Sequence, residues 1–329
     1  MTQGMGQGPD YERLRLMVRA ARLYYDEDRS QEEVSRALGL SRSYVSKLLS
    51  GARQAGIVQI RVVDPLDMES ALERRLTERF GLERAIVLPQ QPGEDPQRQL
   101  GEAAARYLNG ILRDGDTIGT SWGDTMYRVS QSLAPRPDLR DLRYVQLCGG
   151  VSDIHMAVYA SEIASGYSGA LGCAAQLIQL PAIVNSPALK AMLEGDESVA
   201  RAFRYWREAR ILLFTVGAFG AQNALVRVGY LHRGHMDALL RRGAVGDICT
   251  HVIDGEGRLC DPELDARTIA IPLEEMKKKR YRVCVAQGAD RVDSMLGALR
   301  GGIANVLITN ETTAQRLLER IDRQPDERR

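Results

Sequence analysis

The chain has 329 residues, 44% of them apolar and 26% charged, which suits a soluble protein with more than one core and excludes wholesale disorder. Lys and Arg number 44 against 43 Asp and Glu, a formal net charge of +1. The molecule as a whole is therefore not drawn to polyanions, and any nucleic-acid surface must be local.

Taken in order, residues 1–9 are Gly- and Gln-rich, are expected to be disordered, and lead into charged residues without the apolar segment of a secretion signal. From Asp10 to Val63 ten cationic side chains face seven acids, so the positive excess of the chain collects here. Leu14, Met17, Val18, Ala21 and Leu23 predict a first helix. Val34 and Leu38, then Gly39 and Leu40, then Val45, Leu48 and Leu49 predict two short helices joined by a tight turn, the spacing of a helix-turn-helix. Gly39 suits the positive-φ turn residue, Leu40 plugs the angle between the helices, and Ser35 is small enough for a close crossing. Ile57 to Val63 reads as a strand, a candidate wing.

Placed in the major groove, the second helix presents Ser41, Arg42, Ser43, Tyr44, Ser46 and Lys47, and Ser41 to Ala55 contains no acid. Arg42 matches the two acceptors of a guanine edge, while the hydroxyls and Lys47 suit phosphates or bases. Ser30 and Gln31, at the start of the first helix, are expected on backbone phosphate.

Beyond residue 63 the text changes. Leu66 to Phe80, with Leu72, Leu76 and Phe80 at helical spacing, reads as a narrow-striped helix that either connects the domains or opens the second one. Apolar runs at Ala85–Leu88, Thr117–Gly119, Tyr144–Leu147, Ile211–Val216, Val283–Ala286 and Val306–Thr309 then alternate with amphipathic segments. That alternation predicts an α/β domain with a parallel sheet flanked by helices. The expected division is a DNA-binding domain at 10–63, a linker helix plus α/β domain at 64–321, and a charged tail at 322–329.

The longest nearly uninterrupted apolar stretch, Ile211–Ala221, is well short of the roughly 20 residues that cross a bilayer. Five scattered cysteines suggest buried thiols in the cytoplasm, with no disulfide and no metal. His232 and His235 have no third ligand nearby and are expected in an exposed loop. Lys277 to Arg280 is expected as a solvated helix end.

Gly119–Thr–Ser–Trp–Gly–Asp–Thr125 follows a predicted strand and opens an amphipathic segment, so its amides and hydroxyls could meet an anion at a helix start. Thr120, Ser121, Gly123 and Thr125 are the candidate donors, and Asp124 the candidate acceptor for a ligand hydroxyl. A tight structural connection explains such a turn equally well. Gly149 and Gly150 follow the Tyr144–Leu147 strand, at the sheet edge where ligands of open α/β sheets bind. Asp247, in the run Gly243–Ile248, either accepts from ligand hydroxyls or fixes a turn. Trp122 lies beside a ligand or packs the core.

With the helix-turn-helix, these motifs and the stretch Ala298–Leu–Arg–Gly–Gly–Ile303 leading to Asn305–Val–Leu–Ile–Thr309, the chain resembles the SorC family of sugar-responsive bacterial transcription regulators, from about Tyr11 to Leu318. The resemblance implies a winged helix-turn-helix domain and a Rossmann-like effector domain related to sugar-phosphate isomerases. It implies assembly into homodimers or homotetramers and an effector that is commonly a phosphorylated sugar. Relatives usually carry two glycines and then a ligand-binding lysine where this chain has Gln287, Gly288 and Arg291, and an acid where it has Asn310. Arginine pairs with phosphate through two parallel hydrogen bonds but does not readily lose a proton to form an imine. The effector expectation is thus non-covalent, with Gln287 and Arg291 at the site.

The leading expectation is an operator-binding regulator of double-stranded DNA, with no cofactor, no catalytic residues and no membrane. A sugar-phosphate isomerase-like enzyme fused to a DNA-binding domain is the alternative, although no acid–base pair flanks the phosphate loop. An effector-independent DNA-binding assembly protein is a further one.

Overall fold

The computed structural model describes residues 9–27, 29–58, 70–90, 93–150, 154–220 and 223–323. Residues 59–63 of the expected wing, residues 1–8, and the tail beyond 323 lie outside the described residues. The chain divides into two compact units, Met1–Met68 and Glu69–Arg329.

In the small unit, the helices Pro9–Ala21, Gln31–Leu38 and Arg42–Gln54 close on Val34, Val45 and Ala52, all fully buried, with Leu48 and Leu49 beside them. The first helix covers this core, but not with the whole expected set. It turns Met17, Ala20 and Ala21 inward and leaves Leu14 and Val18 at 45% and 37% exposure. Buried positions 17, 20 and 21 define the inward stripe, and 14 and 18 fall on its flank. Ile57 and Val58 do not begin a strand within the described part; both donate back to the Ala52 carbonyl, at 2.9 and 3.1 Å.

Among its described residues the large unit is built on ten strands: β1 (Arg84–Leu88), β2 (Thr117–Thr120), β3 (Arg143–Gln146), β4 (Ala174–Gln176), β5 (Ile211–Phe214), β6 (Val216–Ala218), β7 (Ala244–Ile248), β8 (His251–Asp254), β9 (Tyr281–Val285) and β10 (Val306–Asn310). Seven form one sheet in the order β1-β10-β9-β5-β2-β3-β4, and every neighbouring pair is parallel. Without β1 this is the strand order of a doubly wound Rossmann sheet. Both faces are covered. Ile211 and Leu213 enter one helical layer with Leu100 and Leu108, while Leu212 and Phe214 enter the other with Met295 and Leu317. Burial on both sides explains why these strands read as continuous apolar runs rather than alternating ones.

Two expectations change in detail. The run Ile211–Val216 is two strands, broken at Thr215, and β6 leaves for a separate antiparallel sheet, β6-β7-β8. Gly243–Ile248, expected as a turn, supplies β7 of that sheet, where Gly246 lets Ser294 and the Gly217 carbonyl approach to distances that a Cβ would block.

Two polar motifs also settle differently. Both histidines are exposed as expected, but His235 lies within the helix Arg233–Arg241, and His232 caps that helix by accepting from the His235 N–H at 3.3 Å. In the basic run, Lys279 is buried on Glu275 and the Arg207 carbonyl, and Arg280 pairs with Glu83. Only part of that run faces solvent.

Leu108 is fully buried in the layer carrying the helix Pro96–Ile111. Leu108→Ala is expected to cost about 2–5 kcal/mol, read as a lower urea midpoint for the large unit's transition; an unchanged midpoint contradicts this packing.

Candidate DNA-binding and effector sites

The helix-turn-helix is held by short-range polar contacts. Ser30 caps the helix Gln31–Leu38 in a reciprocal box: the Glu33 N–H donates to the Ser30 hydroxyl at 3.3 Å and the Ser30 N–H donates to the Glu33 carboxylate at 2.8 Å. The backbone hydrogen bond from Ser30 holds the Glu33 carboxyl below its usual range. Gly39 ends this helix at φ +65°, the left-handed conformation that glycine adopts without a Cβ penalty. Ser35 contributes more than small size, since its hydroxyl donates to the Leu40 carbonyl across the turn. Ser41 then caps the helix Arg42–Gln54 by accepting from the Tyr44 N–H at 3.3 Å.

The second helix displays what its spacing predicts. Val45, Leu48 and Leu49 are buried, and Ser41, Arg42, Ser43, Tyr44, Ser46 and Lys47 are all exposed. Its first turn carries no acid. The first helix differs: Glu32 and Glu33 occupy its first turn, Ser30 is engaged in the box, and Gln31 is half-buried.

In the large unit, the chain leaves β2 toward β3 and β4 in one direction and leaves β5 toward β9 and β10 in the other. Such a reversal opens a crevice outside the carboxyl ends of the two adjacent strands. Ser121 bridges its floor, donating its N–H to the Leu213 carbonyl at 3.1 Å and accepting from the Thr215 N–H at 3.4 Å. Arg291 reaches the same place from the turn Ala289–Arg291, with Nη1 3.4 Å from the Thr215 hydroxyl. It has no carboxylate within 4.0 Å among the described residues.

Around this crevice, Gln287 is buried and accepts from the Asn310 amide at 2.9 Å. Asp247, on β7, accepts from the Asn223 amide at 2.7 Å, and burial raises its carboxyl above the usual range while Asn223 opposes that rise. Gly217 makes room for it, because a Cβ there would lie 2.1 Å from Asp247 Oδ1. Gly123 turns the chain at φ +118° into the helix Asp124–Gln131 and, as its N-cap, has no side chain to cap the first turn. Thr125 is buried in that turn.

Other expected residues are placed differently. The Thr120 hydroxyl is fully buried against Tyr144, 2.9 Å away. Asp124 pairs with Arg128 at 3.2 Å. Gly149 and Gly150 follow β3 as expected, but their N–H groups donate to Ile269 and Leu180, both at 2.8 Å. A Cβ at Gly149 would strike Pro181 and Ala182, so close packing explains that glycine. Trp122 packs between the core layers and donates to the Gly149 carbonyl at 3.1 Å. Sequence reasoning missed Thr215 and Asn223. A polar residue interrupting the apolar run Ile211–Val216 was the available signal for Thr215; Asn223 carried none.

Among the described residues no group of three or more His, Cys, Asp or Glu could hold a metal ion. None of the described helices is long and apolar enough to cross a membrane.

Comparison with known proteins agrees over both units. Residues 64–319 match the family described as "Putative sugar-binding domain", and residues 21–55 match region 4 of sigma-70. The deoxyribonucleoside regulator of Bacillus subtilis (strain 168) is 36% identical, over 94% of this chain and 99% of that protein. The sorbitol operon regulator of Klebsiella pneumoniae is 28% identical, over 93% of this chain and 98% of its own length. The crystal structure of full-length SorC from Klebsiella pneumoniae superposes with a TM-score of 0.70 at 29% identity, covering 93% of this chain and 99% of that one. With its exposed recognition helix, its Rossmann-like sheet and these end-to-end similarities, the chain belongs to the SorC family of sugar-responsive bacterial transcriptional regulators.

Proposed function

We propose that the effector is a phosphorylated sugar, bound non-covalently in the crevice between β2 and β5, and that its occupancy sets the operator affinity of the helix Arg42–Gln54. The observation that carries this reading is Arg291, a guanidinium at the switch point without a carboxylate partner within 4.0 Å among the described residues. A phosphate there receives two parallel charge-assisted hydrogen bonds. The uncapped first turn of the helix Asp124–Gln131, entered through Gly123, offers amides to the same anion. Asp247, oriented by Asn223, supplies an acceptor for a sugar hydroxyl, and Gln287, held by Asn310, supplies an amide. Ser121 and Thr125 line the floor. Thr120, Gly149 and Gly150 act by shaping the crevice, and Asp124 by its pair with Arg128.

Relatives named for deoxyribonucleosides and sorbitol favour a small polyhydroxylated ligand. They are named as regulators, and the crevice accordingly acts as a sensor rather than a catalytic centre, without a cofactor, in the cytoplasm. Two or four copies assemble, so that paired recognition helices meet the two halves of a quasi-palindromic operator. Arg42 reads a base edge. Lys47, Ser43, Ser46 and Tyr44 hold the backbone, and Ser41, Ser30 and Gln31 fix the helix starts against phosphate. The effector controls affinity by favouring one arrangement of the assembly over another.

Arg42→Ala is expected to weaken cognate operator binding by about 1–3 kcal/mol in a fluorescence anisotropy titration; unchanged affinity removes the base-contact role. Lys47→Ala should flatten the slope of log affinity against log salt by roughly one unit for each phosphate that the lysine neutralises, and an identical slope places Lys47 in solvent. For the crevice, a thermal-shift screen of phosphorylated and unphosphorylated sugars identifies a stabilising ligand. Arg291→Ala should then weaken that ligand and leave operator binding by the unliganded protein unchanged. Equal titrations of both proteins sink the assignment.

A further inference from the structure

The large unit holds a second cavity, of about 530 Å³, that shares no residue with the crevice. Its floor is apolar, from Leu259, Pro272 and Leu273, and four cations line it: Lys190, Arg258, Lys277 and Arg300. Three carboxylates line it as well, and each already serves a neighbour. Glu274 takes Lys277 at 2.7 Å and Glu256 takes Arg300 at 3.5 Å. Asp265 takes the buried ring of His251, Nδ1 to Oδ1 at 2.5 Å, while Nε2 lies 3.0 Å from the Ile271 carbonyl. That leaves Arg258, which makes no ion pair among the described residues, and Lys190, whose nearest carboxylate, Glu194, is 3.8 Å away and outside the cavity lining. The cavity therefore carries positive charge that its own acids do not offset.

The charge is also held in place. The turn bearing Arg258 is closed by Asp254, whose carboxylate accepts from the Glu256 and Arg258 N–H groups at 2.9 and 2.8 Å. Gly257, at φ +74°, presses this turn onto the helix Val292–Arg300, where a Cβ would come within 2.4 Å of the Gly297 carbonyl. The opposite wall is the extended segment through Ile271, which donates to the Leu147 carbonyl at 2.8 Å, at the end of β3. Arg258 on its anchored turn, with Lys190 of the helix Pro187–Glu194 lining the same cavity, matches a small molecule with two anionic groups on a short skeleton.

We propose that this cavity is a second ligand site, for a small dianion, distinct from the sugar crevice. Calorimetric titration of inorganic pyrophosphate into full-length protein tests it. In the Arg291→Ala background, which removes the crevice's anion partner, one saturable site per chain is expected. Adding Arg258→Ala should weaken that site roughly tenfold or more without moving the melting temperature, because Arg258 is exposed, and in a separate variant Lys190→Ala should weaken it likewise. Absence of binding in the Arg291→Ala protein, or superimposable isotherms with and without the second substitution, overturns the proposal. In wild-type protein, Arg258→Ala reports on this cavity and Arg291→Ala on the crevice, so the two readings fail separately.

Discussion

Ser121 closes the gap between the ends of β2 and β5, taking up the Leu213 carbonyl with its N–H and the Thr215 N–H with its hydroxyl. Parallel pairing of these strands runs only from Ile118 to Thr120 against Ile211 to Leu213. Past that point the two chains must diverge, because they continue in opposite directions across the sheet. A single hydroxyl holds them together for one more residue. Thr215 can then turn the chain into β6, and β6 recruits β7, which carries Asp247. The helix Val292–Arg300 is locked onto the same place when Ser294 donates to the carbonyls of Gly217 and Val245, both at 2.9 Å. Arg291 precedes that helix directly. The crevice is thus a consequence of where one strand pairing ends.

Polar residues around the crevice divide by whether the fold has already claimed their hydrogen-bonding groups. Thr120, Gly149 and Gly150 are claimed, and they keep strands and loops in register. Arg291 and Asp247, both half-buried, differ in having charge to offer: one has no carboxylate within 4.0 Å among the described residues, and the other is an acid hydrogen-bonded to a neutral amide. Burying such groups costs free energy unless something compensates, which is why they are informative where hydroxyls and glycines are not.

In the DNA-binding unit the same division separates the two helix starts. Ser30 and Glu33 satisfy each other and set carboxylates at the amino end of the first helix, where the helix dipole favours negative charge. The second helix has a serine cap and no acid in its first turn, so its amino end and its cations are left to attract an outside anion. Rigidity at the turn, through Gly39, Ser35 and Leu40, keeps the exposed side chains Arg42, Ser43, Tyr44, Ser46 and Lys47 in a fixed relation to the core.

Much of this was legible in the residues alone. The helix-turn-helix follows from spacing that local geometry enforces, since caps, a positive-φ glycine and a 3.6-residue period act within a few positions of each other. The parallel strands followed from apolar runs long enough to be buried on both faces. β4, with the sequence Ala–Ala–Gln, and β7, interrupted by Gly246 and Asp247, gave no such signal; they are strands because distant segments pair with them. The same reason separates the site residues. Sequence alone determined that Arg42, Ser43, Tyr44, Ser46 and Lys47 lie outward on one helix, because neighbours in the chain decide it. Only the tertiary structure decided that Thr120 faces Tyr144, that Gly149 donates to Ile269, and that Thr215 meets Arg291, since each of those contacts joins residues separated by tens of positions and is created by the order of strands in the sheet.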